Sequence, residues 1–246
     1  MTYRRQEPNT ICEMFGAIAE NYDLGNSTLS CGFHRLWNRI LAERVVYPCR
    51  PKGYLDLCCG TGEIALSYLR LLQKRREGMH PRLQIYLVDF CSEMLRVAQK
   101  KLERIALPCG VQFICGDAQR LPFPDASMDC ITIAYGLRNV LDRQRCLEEV
   151  QRVLRPGGCV GILELTRPKN AVLGYFHQFY LQHFIPKIGG IVMRNREAYD
   201  YLQSSIHQFI EPDEVLEMLE NSRLVVSRPR PLMGGIATLF CAHKRC

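Results

Sequence analysis

"YLDLCCGTGEIALSYL", residues 54–69, decides the class of the chain. An apolar run meets two adjacent cysteines and a glycine turn, then passes into helical apolar spacing, so the stretch reads as strand, loop, helix. "GTGEIA" satisfies G-x-G-x-x-G/A. Gly60 and Gly62 let the backbone turn sharply and approach a ligand, and Ala65 lets the helix pack on the sheet. The competing reading is a thiol or metal site at Cys58 and Cys59. On a strand these two would point to opposite faces, and none of the thirteen cysteines is spaced C-x-x-C. Zinc-ribbon and thioredoxin readings therefore lack support, and no metal is expected. The cysteines are expected to be reduced, many of them small buried hydrophobes.

Outward from the loop, strand and helix signals alternate. "LQIYLVD" is a second strand, and "SEMLRVAQKKLERI" is a helix with Ser92 as N-cap and Met94, Leu95, Ala98, Leu102 and Ile105 on one face. "VQFIC" and "CITIAY" are the third and fourth strands. "DRQRCLEEVQRVL" is a helix closed by the turn "RPGG", and "CVGILEL" is the fifth strand. This alternation predicts an α/β fold with a doubly wound, mostly parallel seven-stranded sheet, Rossmann-like. "LVVS" and "GIATLFCAH" predict a terminal hairpin, hence an antiparallel C-terminal strand. Residues 1–50 and 171–221 read as a helical cap and a helical insertion on one domain spanning 1–246.

With 246 residues, 47% hydrophobic and 23% charged, the composition is that of a globular protein. No apolar run approaches the roughly 20 residues of a membrane span. The start, "MTYRRQEPNT", lacks an h-region, so a cytoplasmic protein is expected. The net charge of +7 is spread out and reads as a solvated basic surface, with no nucleic-acid partner.

Acids decide what the loop holds. A pyrophosphate wants bare N–H groups without neighbouring carboxylates. S-adenosylmethionine carries an ammonium and a sulfonium, so carboxylates near the loop favour it. Asp56 lies in the strand entering the loop, and Glu63 opens the helix. Asp89 ends the second strand, where a carboxylate accepts ribose hydroxyls. Asp117, in "CGDAQ", follows the third strand and is placed to accept from the adenine amino group.

"LDLCCGTGE", "VDFCSEML", "GDAQRLPFPDASMDCITIAYGLRNV" and "EEVQRVLRPGG" resemble a class I S-adenosylmethionine-dependent methyltransferase. More narrowly, "GLRNVLD" (136–142), "FGAIAENYDLGNSTLSCGFHRLW" (15–37) and "YLQSSIHQF" (201–209) resemble the ubiquinone/menaquinone biosynthesis C-methyltransferase family (UbiE/MenG). The resemblance covers nearly the whole chain. It implies cofactor contacts at Thr61, Asp89, Asp117 and Ala118, beside Asp56, Gly60, Gly62 and Ala134. It departs from the family pattern at Gly25, Glu63, Asp117, Ala134 and Pro212. The implied reaction is methylation of a ring carbon of a polyprenylated quinol, either demethylmenaquinol or a ubiquinone precursor. Another small phenolic or lipid-like acceptor is the alternative.

Such a reaction needs a phenolate beside the reacting carbon. Arg138 is expected to stabilise it and to polarise a water, since arginine is itself a poor base. His34 is the second candidate for the proton, because histidine titrates near neutrality. Tyr22 and Asn139 are candidate substrate contacts. Phe176, Tyr180 and Phe184 recur at helical spacing and read equally as core or as a slot for a prenyl tail. Peripheral contact with the inner membrane face and a homodimer are compatible with this reading.

Overall fold

The computed structural model describes residues 8–75, 82–105, 109–183 and 211–246. Its strands are β1 (Gly53–Leu57), β2 (Gln84–Asp89), β3 (Gly110–Cys115), β4 (Met128–Ala134), β5 (Leu154–Leu165), β6 (Leu224–Val226), β7 (Arg230–Leu232) and β8 (Ala237–Lys244). Seven of them lie in the order β3-β2-β1-β4-β5-β8-β6, and the short β7 also pairs with β8. β1 to β5 run parallel, and β8 is antiparallel to β5, β6 and β7. The expected C-terminal hairpin is present, with β7 added along β8.

The helices are α1 (Pro8–Ile18), α2 (Tyr22–Leu29), α3 (Phe33–Leu41), α4 (Glu63–Arg75), α5 (Ser92–Leu102), α6 (Arg143–Val153), α7 (Ala171–His183) and α8 (Pro212–Asn221). A π-helical turn, Ala42–Val46, continues α3 toward β1. All five β1 residues are buried, as a central parallel strand covered on both faces requires. One core joins α3 and α4 to the sheet through Leu41, Val45, Tyr54, Leu69 and Leu87. The other lies under α6 and α8, with Leu147, Val150, Val215 and Leu219.

Three sequence expectations change in detail. β1 ends at Leu57, so Cys58 and Cys59 lie in the turn after the strand rather than on it; Cys58 takes φ +53°. Cys91, not Ser92, is the N-cap of α5, and the Ser92 hydroxyl bonds to Glu93 instead. "RPGG" does not stand apart from the fifth strand: β5 begins at Leu154, paired with Met128, and resumes register at Cys130 opposite Cys159. Helix α8, at the end of the 171–221 stretch read as a helical insertion, packs on α6 and β6 in the layer covering the sheet. Residues 184–210, with Phe184 and "YLQSSIHQF", lie outside the described residues.

Strand order reverses between β2-β1 and β1-β4. At the carboxyl ends of these strands, where open α/β sheets hold ligands, a cavity of about 290 Å³ opens.

Candidate active site

The floor of the cavity is the loop after β1. Gly60 has φ +52°, and a Cβ there would meet nothing within 4 Å, so its exposed side is open to a ligand. Gly62 has φ +77°, and its added Cβ would lie 3.1 Å from both Ala98 and Leu87; glycine is what lets α4 start so close to α5 and β2. The loop amides are already occupied: Cys59 N–H donates to Val88 O, Gly62 N–H to Cys59 O, and Gly60 N–H to Asp89 Oδ2 at 2.7 Å. A pyrophosphate would need such amides free.

Asp89 Oδ1 accepts from Cys91 N–H at 2.9 Å. Two backbone donors thus aim the carboxylate at the end of β2, and it borders the cavity. Burial raises its pKa, and these amide bonds oppose the rise. Asp117 borders the same half, turned by bonds from the N–H and side chain of Gln119. Ala118 and Ala134 line it too.

Asp56 sits beneath the loop, fully buried. The Thr132 hydroxyl donates to Oδ1 at 2.8 Å and Ala65 N–H to Oδ2 at 3.2 Å. A hydroxyl has one proton, so at 2.8 Å Tyr54 donates to Thr132, which donates to Asp56. Burial, the largest cause, pushes the Asp56 pKa up to about 7 against these bonds.

The roof comes from the N-terminal helices. The Thr61 hydroxyl donates to Asp23 at 2.6 Å, and Lys101 pairs with both Asp23 and Glu63, the latter at 2.9 Å. Glu63 is thus engaged by a lysine, although it borders the cavity. Tyr22 borders the roof, its hydroxyl pKa raised by burial against the nearby charge of Arg138. His34 is 7% exposed, with Nδ1 2.7 Å from the Ser30 hydroxyl. Burial lowers its pKa, so the ring is neutral at neutral pH. The Tyr135 hydroxyl donates to Asn38 beside it at 3.1 Å.

Arg138 lies in the short 3₁₀ turn Leu137–Asn139 at the end of β4 and, with Asn139, borders the cavity. It is not a lone cation. Its Nη1 donates to Glu164 Oε1 at 2.5 Å, and the two side chains are 6% and 0% exposed. Gly136, just before it, is obligatory: a Cβ would lie 2.4 Å from that of Cys58. Tyr180 is the expected contact that falls outside: it is not part of the cavity wall, and its hydroxyl donates to Leu29 O at 3.0 Å, holding α7 against α2.

Sequence reading missed Glu164 and Ser30. The signals existed, an acid inside the apolar "GILEL" and a hydroxyl one helical turn before a histidine. Cys49, Cys130 and Cys159, whose sulfurs lie within 4.8 Å of one another, come from three separate elements and carried no spacing signal.

The donor set fits S-adenosylmethionine, with Asp89 and Asp117 at the strand ends, Asp56 beneath, and open space over Gly60. The ubiE/COQ5 methyltransferase family model matches residues 3–244. The chain belongs to that family. It is a methyltransferase, and its cofactor is S-adenosylmethionine. It is similar to a demethylmenaquinone methyltransferase of Protochlamydia amoebophila, 43% identical over 99% of this chain and 98% of the relative. It is also similar to a ubiquinone/menaquinone biosynthesis C-methyltransferase UbiE of Rickettsia bellii, 37% identical over 97% and 94%. The methyltransferase shares its fold with an Aquifex aeolicus SAM-dependent methyltransferase (TM-score 0.53, 20% identity, 78% and 81% coverage). The same holds for the [4+2]-cyclase SpnF (TM-score 0.63, 16% identity, 96% and 95% coverage).

Proposed function

We propose that this methyltransferase methylates a ring carbon of a polyprenylated quinol, with demethylmenaquinol as substrate and a ubiquinone precursor as the second acceptor. One observation carries the reading. An acid-lined floor suited to the adenosyl cation shares a single cavity with a roof of Tyr22, His34, Asn38 and Arg138, groups that bind and deprotonate a phenol. The relatives' names, divided between the menaquinone and ubiquinone branches, support the same substrate class.

When bound, S-adenosylmethionine supplies a methyl group on a positively charged sulfur. Asp89 would hold the ribose, Asp117 the adenine edge, and Asp56 would favour the positive charge from below. The chain's remaining work is to hold the ring carbon within ~3–3.5 Å of that methyl and exclude water. Tyr22, protonated at neutral pH, donates to a ring oxygen. Arg138, held by Glu164, offers fixed guanidinium donors to the developing phenolate without adding net charge to the cavity wall.

A quinol with a prenyl tail resides in a bilayer, so we extend the proposal to peripheral contact with the membrane. Among the described residues no helix is long and apolar enough to cross it. The test of the whole reading is complementation of a bacterium lacking its own quinone methyltransferase, with the quinones analysed by mass spectrometry. Methylated menaquinone should appear; persistent demethylmenaquinone with the protein present and folded would overturn the assignment.

A further inference from the structure

We propose that His34 is the group that takes the hydroxyl proton of the acceptor, with Ser30 as its positioning residue; this rests on the quinol reading above.

The argument turns on which ring nitrogen is vacant. The Ser30 hydroxyl donates its only proton to Asn26 O at 2.6 Å. At 2.7 Å from Nδ1 its oxygen must therefore accept, and Nδ1 carries the hydrogen. The same oxygen also takes the His34 backbone N–H at 3.4 Å. This fixes the tautomer and leaves Nε2 with a lone pair. Nε2 makes no hydrogen bond among the described residues, on a ring that borders the cavity. A nearly buried histidine at the wall of a ligand space, with one nitrogen anchored and the other vacant, is the arrangement of a general base.

The neighbouring groups are committed elsewhere. Asp23 holds Thr61 and Lys101, Glu63 is paired with Lys101, and Arg138 with Glu164. Asp56 borders the cavity from beneath but is fully buried, with both oxygens accepting from Thr132 and Ala65, and Tyr22 keeps its proton. The charges felt by His34 are Glu63 of α4, Asp23 of α2 and Arg35 of its own helix; the acids raise its pKa and Arg35 lowers it, while burial, the larger effect, keeps it neutral.

In the step, the quinol O–H bond breaks and an N–H bond forms at Nε2, and the electron pair left on oxygen enriches the ortho carbon. That carbon would take the methyl as the methyl–sulfur bond breaks with its electron pair staying on sulfur, and replacing a ring C–H by C–CH₃ sheds one proton overall. The ring carbon loses its own proton to water, and the imidazolium returns the first one to the oxygen.

The test combines His34→Asn, Ser30→Ala and the wild type in single-turnover methylation of a short-tailed demethylmenaquinol across pH. S-adenosylmethionine affinity and thermal unfolding are measured alongside. His34→Asn should slow the reaction ~10²–10⁴-fold at neutral pH, with cofactor affinity unchanged. Its rate should climb only in alkali, as the quinol ionises by itself. The wild-type rate should rise to a plateau with a midpoint below the usual histidine range. Ser30→Ala should lose rate and shift that midpoint. Nitrogen-15 NMR of the wild-type protein should show the Nδ1–H tautomer at His34, mixed in Ser30→Ala. A wild-type rate and profile in His34→Asn, or an Nε2–H tautomer, would overturn the proposal. No methylation by wild-type protein that binds the cofactor overturns the quinol reading instead, and the NMR result does not depend on it.

Discussion

At the cavity wall, Arg138 and Glu164 form a pair whose removal in halves and removal as a whole should differ. Glu164 is wholly buried on β5, and its oxygens also accept from the N–H groups of Arg138 and Leu165. Arg138→Ala strands that carboxylate and should cost about 3–5 kcal/mol in urea unfolding. Arg138→Met with Glu164→Leu should recover most of the loss, because a buried pair replaced by apolar groups is often neutral. Methyl transfer should stay low in both, with cofactor affinity near wild type. An Arg138→Ala protein as stable as wild type would show that the pair is not a buried charge couple. Asp56 adds a pH dependence. Its folded pKa of about 7 lies above the ordinary 3.8, so in this window the native state holds a proton that the unfolded chain has lost. The Asp56 contribution to stability therefore falls as pH rises from 3.8 to about 7. Cofactor binding runs the other way, since a cation above prefers the carboxylate; affinity should strengthen with pH by up to ~tenfold per unit. Asp56→Asn should flatten both slopes, measured by urea midpoints and calorimetry. Equal slopes in variant and wild type would remove Asp56 from the cofactor's charge balance.

Elements were legible where a periodic pattern and a burial requirement coincide. β1 reads as a continuous apolar run because both its faces are covered, and α5 shows its buried Met94, Leu95, Ala98 and Leu102 at helical spacing. Boundaries were less legible, because tertiary bonds set them: Cys91 and not Ser92 caps α5, where Asp89 takes the Cys91 N–H. The adenosyl side of the site could be read because strand ends converge at the switch point, so acids after successive strands must meet. The roof could not. Asp23–Thr61, Tyr135–Asn38 and Arg138–Glu164 join residues 38, 97 and 26 positions apart, and no local spacing encodes such pairs. The thiols follow the same rule. Cys49 ends the segment that continues α3, and its sulfur donates to Asp129 O at 3.4 Å. Burial holds the Cys130 thiol protonated. Against its bond with Cys130, the bond with Cys49 and then burial push Cys159 up to about 12, and the bonds from Cys130 and Cys159 pull Cys49 down to about 4. The three sulfurs, within 4.8 Å of one another, meet where the segment after α3 packs on β4 and β5.

On the scale of the whole molecule, the unusual surface is one face of α7, where Val172, Tyr175 and Phe176 are 67%, 69% and 62% exposed. Tyr180 fixes this helix to α2 at the roof of the cavity through Leu29, the side from which the proposed reading would bring a prenylated quinol out of a bilayer. The net charge of +7, spread over the chain, is compatible with an anionic membrane surface without selecting it. Exposed side chains carry little of the fold, so Val172→Ser, Tyr175→Ser and Phe176→Ser together should leave the melting temperature near wild type. Partial insertion of such a side chain is worth about 1–2 kcal/mol, roughly tenfold each. Cosedimentation with vesicles containing phosphatidylglycerol should therefore fall by two orders of magnitude or more. Methylation of a long-tailed demethylmenaquinol presented in those vesicles should fall with it. A short-tailed quinol in solution should react at the wild-type rate, because the cavity is untouched. Equal losses on both substrates would place the face inside the catalytic machinery rather than at a membrane. A homodimer is the other occupant this face admits: light scattering that shows a dimer split by the triple substitution, with vesicle binding unchanged, would give the surface to a second copy of the chain.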